Sequence, residues 1–77
     1  MAGLVYFRKV FEGAEAVRYA FGADPEDLPR SLTLDKGSCT STVEDGRTDY
    51  LALKASRKIN ALHTESGHWP ARGMSAS

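Results

Sequence analysis

Val5-Tyr6-Phe7-Arg8-Lys9-Val10-Phe11 and Val17-Arg18-Tyr19-Ala20-Phe21 decide the fold, because large apolar side chains recur at even spacing on both sides of Gly13. Successive side chains of a strand point to opposite faces, so an apolar period of two marks a half-buried β-strand. The two stretches predict a β-hairpin. A two-residue turn at Gly13-Ala14 sets Glu12 against Glu15 and scatters the rings over both faces, an unfavourable like-charge pairing. A three-residue loop, Gly13-Ala14-Glu15, pairs Phe11 with Val17, Lys9 with Tyr19 and Phe7 with Phe21, gathering the large groups on one side. Tyr6, Arg8, Val10, Arg18 and Ala20 then share the other side. A slip of one residue would exchange the two faces, so the hydrophobic pattern favours the three-residue loop. Glu15 is a poor occupant of the left-handed position that such loops use.

Outward from this hairpin, Asp24-Pro25-Glu26-Asp27-Leu28-Pro29 ends the second strand. Asp24 suits an N-cap and Pro25 a first helical position, which predicts one short helical turn, with Leu28 plugging an end of the core. A second hairpin follows, with Leu32, Leu34, Cys39 and Val43 inward and threonines outward. A turn at Lys36-Gly37 pairs Leu34 with Cys39 and Thr33 with Thr40. The period then changes: Tyr50, Leu51, Ala55, Ile59 and Leu62 lie on one stripe of a helix from about Thr48 to about Glu65. Asp45 or Thr48 caps its start and Gly67 stops it, while Lys54, Arg57, Lys58 and His63 lie off the stripe. The predicted fold is α+β: a four-stranded antiparallel sheet of two β-hairpins, with one C-terminal helix on its aromatic face. Residues 1–72 make a single domain and 73–77 a flexible tail. Trp69-Pro70 either folds that tail back or docks elsewhere.

Seventy-seven residues leave room for one small core. Ten basic and ten acidic residues cancel, so no global field steers the chain toward nucleic acid or a membrane surface. The charges are unevenly placed: residues 1–45 hold five cations against eight acids, and residues 46–77 hold five against two. Cys39 is the single cysteine, which excludes an internal disulfide. The apolar run before Arg8 is too short for a signal-peptide core, and no stretch is long enough to span a bilayer. Cytoplasmic localisation is the expectation.

No motif carries catalytic chemistry. Cys39 reads as a small apolar core residue rather than a nucleophile. His63-Thr64-Glu65-Ser66-Gly67-His68 holds two imidazoles and a carboxylate, but a spacing of five does not put both histidines on one helix face, so no metal site is predicted. The carboxylates cluster in turns, and no glycine-rich phosphate cradle is present. The reading is of a non-enzymatic chain with no catalytic residues and no cofactor.

The open sheet face is the first candidate surface. Tyr6 and Val10 would anchor a protein partner or a second copy of the chain, with Arg8 and Arg18 as a polar rim. A second patch, Arg47, Lys54, Arg57 and Lys58, would contact phosphate or an acidic partner. Nucleic-acid binding through the arginines and the basic helix is the alternative, with less support from a chain of zero net charge. The segments Ala16-Val17-Arg18-Tyr19-x-Phe21-Gly22, Arg30-x-Leu32-x-Leu34-Asp35 and His68-Trp69-Pro70-x-Arg72-Gly73 resemble those of short single-domain bacterial proteins of unknown function. That resemblance covers most of the chain and implies no activity.

Overall fold

The alternation around Gly13 is realised as two paired strands, β1 (Leu4–Glu12) and β2 (Ala16–Gly22), in a computed structural model that describes residues 4–44, 46 and 49–76. Then come β3 (Arg30–Asp35), β4 (Ser41–Val43), α1 (Tyr50–Ser66) and β5 (Arg72–Ala76). The strands form one antiparallel sheet in the order β4-β3-β2-β1-β5, with α1 packed against one face. The expected α+β architecture stands, with a fifth strand added beside β1.

Phe7 pairs with Phe21 and Lys9 with Tyr19, as the apolar pattern requires. Nearer the turn the expected register fails: Phe11 lies opposite Arg18, not Val17, and Glu12 opposite Val17. The connection is thus one residue longer than expected and is closed by the Gly13 amide donating to the Ala16 carbonyl at 2.8 Å. Cys39 is the one non-glycine with positive φ among the described residues, so this longer loop spares Glu15 the left-handed conformation. The extra residue is absorbed by a β-bulge at Val10, between Lys9 and Phe11. Phe11 is consequently carried from the core to the open face, 61% exposed.

Val5, Phe7, Val17, Tyr19, Phe21, Leu32, Leu34 and Val43 form the inner face of the sheet, against Ala52, Ala55 and Ile59 of α1. The helix contributes both small residues, Ala52 and Ala55, and the larger Ile59, with Leu51 and Leu62 packed at the margin. Phe7 meets Tyr19 edge to face, centroids 5.7 Å apart. Burial of each large side chain contributes roughly 1.5–3 kcal/mol.

The second hairpin is displaced by two residues from its expected register: Leu32 pairs with Val43, Thr33 with Thr42 and Leu34 with Ser41. Asp35 causes the shift. Its carboxylate accepts from the amides of Gly37 at 2.8 Å and Ser38 at 3.1 Å, and its carbonyl accepts from the Cys39 amide at 2.7 Å. Cys39 is therefore a loop residue at φ 60°, exposed rather than inside. Asp24 likewise organises a β-turn in place of the expected helical turn, accepting from the amides of Glu26 and Asp27. The segment after it lies over Gly22, where a Cβ would sit 2.8 Å from the Asp27 carbonyl oxygen. Leu28 is half-buried.

Asp49 caps α1, accepting from the Ala52 amide at 3.0 Å. The expected caps Asp45 and Thr48 lie outside the described residues. Gly67 ends the helix at φ 80°, as expected. Tyr50 leaves the predicted stripe: it precedes Ala52 by two residues, about 200° around the helix, and is exposed. Arg30 ties the capping residue to the sheet, reaching both oxygens of Asp49 at 2.8 and 3.0 Å while lying over the Phe21 ring.

The predicted flexible tail is corrected at residues 73–76, which belong to β5. Arg72 pairs with Arg8, Gly73 with Phe7, Met74 with Tyr6 and Ser75 with Val5. Glycine permits this, since a Cβ at residue 73 would lie 2.7 Å from Phe7 Cζ. The approach to β5 is pinned by Trp69, buried and stacked on His63 at 3.9 Å. Tyr19 Oη donates to the Pro70 carbonyl and the Lys9 amide to the Ala71 carbonyl. His63, expected in solvent, is half-buried by that stacking.

Candidate functional site

Antiparallel partners share a face, so the register fixes what the uncovered side of the sheet presents. Tyr6 lies between Gly22 and Met74, Arg8 between Ala20 and Arg72, and Arg18 between Phe11 and Thr33, with Thr42 beyond. Tyr6, Arg8 and Arg18 are thus brought together as expected. Val10 is exposed at the bulge, and Phe11 takes the place on this face that the uninterrupted register would have given it. The 24–29 segment narrows the face at its Gly22 end. Between that segment and β5 runs a groove of about 340 Å³, lined by Tyr6, Arg8, Pro25, Leu28, Arg72 and Met74 among others.

Arg8 and Arg72 stand directly opposite each other, an arrangement of like charges that destabilises a sheet. Neither has an ion-pair partner among the described residues. Arg18 reaches Glu44 only at 4.0 Å. The face therefore offers concentrated positive charge beside exposed apolar groups, Phe11 and Met74. Phe11, Arg72 and Met74 escaped the sequence reading. A bulge leaves no signature in the apolar pattern; Met74 lies in the 73–77 segment read as a tail, and Arg72 is the last residue before it.

The second patch is partly described. Arg47 lies outside the described residues; Lys54, Arg57 and Lys58 line a groove of about 580 Å³ between α1 and β5, together with Tyr50, Leu53 and Ser75. This groove is on the opposite side of the sheet from Arg8 and Arg18.

The perturbed ionisable groups are structural. Glu12 takes Lys36 and Lys9 at 2.7 Å each, joining the first hairpin to the β3–β4 loop. Hydrogen bonds from those two ammonium groups lower its carboxyl from 4.5 to about 2. Burial, and then the Glu12 charge, push the Tyr19 phenol upward. Among the described residues no three His, Cys, Asp or Glu side chains converge on a point that could hold a metal ion. No described helix is long and apolar enough to cross a membrane. No family model, curated protein or solved structure matches the chain.

Proposed function

We propose that this chain is a small non-enzymatic binding module that engages a protein partner through the open sheet face. One observation carries the reading: the β-bulge at Val10 moves Phe11 out of the core and sets it, exposed, beside Arg18 and Thr33. Leaving a phenylalanine in water forgoes roughly 1.5–3 kcal/mol that burial would return. Aromatic and arginine side chains are also the residue types that dominate protein interfaces. Phe11 and Tyr6 act as anchors and Arg8, Arg18 and Arg72 as the charged rim, with Val10 at the margin. Three arginines favour a partner that brings carboxylates over a face-to-face pairing of two identical copies. The nucleic-acid reading has less support, because the helix cations and the sheet-face arginines lie on opposite sides of the sheet. A reducing cytoplasmic setting suits the exposed lone thiol of Cys39.

The test compares proteins captured by the wild-type chain, by F11S and by R8E. Both substitutions are at exposed positions, so unfolding curves should hardly change. A partner held by wild type and lost by both variants, yet retained by R57E on the far side, supports the assignment. Identical capture by all four chains refutes it.

A further inference from the structure

β5 lies at the end of the sheet, paired with β1 on one side only among the described residues. Proteins protect such edges with brevity, inward charge, proline or bulges. The opposite edge, β4, is three residues long. β5 is longer, carries no proline, and pairs with β1 without a bulge; Gly73-Met74-Ser75 is uncharged. Alongside it runs the groove lined by Tyr50, Leu53, Lys54, Arg57, Lys58 and Ser75. Three of those six residues are cationic and none is acidic. Tyr50 and Leu53 are exposed at 65% and 41%, and Met74 on the other side of β5 at 44%.

We propose that the edge of β5 and the basic groove along α1 form a site for an extended acidic segment of a partner protein, which adds to the sheet as a sixth strand. A strand laid beside β5 at the usual spacing of about 4.8 Å projects alternate side chains to the two faces. Those on the helix side meet Lys54, Arg57 and Lys58, whose positive charge favours carboxylates at those positions. Those on the other side meet Met74, and apolar groups cover it. Backbone hydrogen bonds supply affinity and the alternating pattern supplies selectivity, the division of labour of strand addition. A second copy is a poorer occupant. Two-fold pairing of β5 with itself sets two α1 helices side by side, with their three cations facing across the seam. The proposed site lies on the β5 edge and the helix side of the sheet; it shares Met74 with the open face but not Phe11 or Arg18, so F11S separates the two.

The experiment selects random displayed dodecapeptides on the immobilised chain. The enriched peptides should carry Asp or Glu at alternate positions, with apolar residues between. A synthetic copy of one, titrated into labelled protein, should shift the amides of residues 72–76. Its affinity should fall at least tenfold in R57E/K58E, fall less in R57Q/K58Q, and stay unchanged in F11S. Selection on R57E/K58E should recover basic peptides instead. Absence of acidic enrichment, equal binding to R57E/K58E, or shifts confined to the open face each overturn the proposal. So does a concentration-dependent dimer of the chain alone that protects the β5 amides from exchange.

Discussion

Replacing Gly73 with alanine measures how closely β5 lies over the core. Gly73 does not occupy a left-handed conformation, so alanine is acceptable to the backbone and the effect is one of space. The added methyl would sit 2.7 Å from Phe7 Cζ and 3.0 Å from Cε2, against an ordinary carbon–carbon contact of about 3.5–4.0 Å. Relief requires a movement of about 1 Å. The ring cannot easily give way, being 2% exposed and held edge-on by Tyr19. Overpacking of this kind costs about 1–3 kcal/mol, and loss of glycine's freedom in the unfolded chain offsets about 0.4–1 kcal/mol. The net expectation is a destabilisation of about 1–2 kcal/mol, or a Tm lower by about 5–15 °C in a domain of this size. Urea unfolding of Gly73→Ala, Phe7→Leu and the double variant forms a cycle. The smaller leucine should accept the methyl, so the double variant should be more stable than additivity predicts by about 1 kcal/mol. A neutral Gly73→Ala with an additive cycle would refute the seating of β5 on Phe7.

Three further expectations rest on single contacts. Asp49→Ala removes the α1 cap, about 1 kcal/mol, and the ion pair to Arg30, up to about 1 kcal/mol for a partly exposed pair; Asp49→Asn keeps the cap and should fall between, by equilibrium unfolding. Glu12 has its folded-state pKa below the unfolded value, so its stabilisation is present above 4.5 and disappears as pH falls toward about 2. Chemical denaturation at stepped pH should show the advantage of wild type over Glu12→Gln closing across that window, and an advantage that persists below it would contradict the assignment. Cys39 is exposed at φ 60°, so its thiol should react with a disulfide reagent at a rate independent of denaturant; Cys39→Gly should stabilise by about 0.5–1 kcal/mol, measured by thermal melts.

The sequence was legible where periodicity alone settles the outcome. The inward set Phe7, Tyr19, Phe21, Leu32, Leu34 and Ile59 follows from alternation and helical spacing, and so does the sheet-plus-helix architecture. It was misleading wherever a turn sets the register. The backbone preference of Glu15 lengthened the first loop and exported Phe11, and the bonds of Asp35 displaced the second hairpin by two residues and expelled Cys39. Both effects are local, and neither disturbs the apolar pattern that remains. β5 was hidden for another reason. Arg72-Gly73-Met74-Ser75-Ala76 has no strand-like propensity; it is a strand because Phe7 offers a surface only glycine can approach and because Trp69 anchors the chain beside it. The candidate surface was accordingly half visible: Tyr6, Arg8 and Arg18 could be read in advance, Phe11, Arg72 and Met74 could not.

Since Leu4 pairs with Ala76 and Arg8 with Arg72, β1 must wait for β5, which follows it at the far end of the sequence order of these strands. Contacts so distant along the chain slow folding, because the intervening loop has to close before they form. On the ribosome, β1 and β2 can form their hairpin early, yet one side of β1 stays unpaired until residues 72–76 emerge. Nascent chains of this protein would pass through a stage in which Phe7 lacks its cover, the interval when a chaperone would have most to hold.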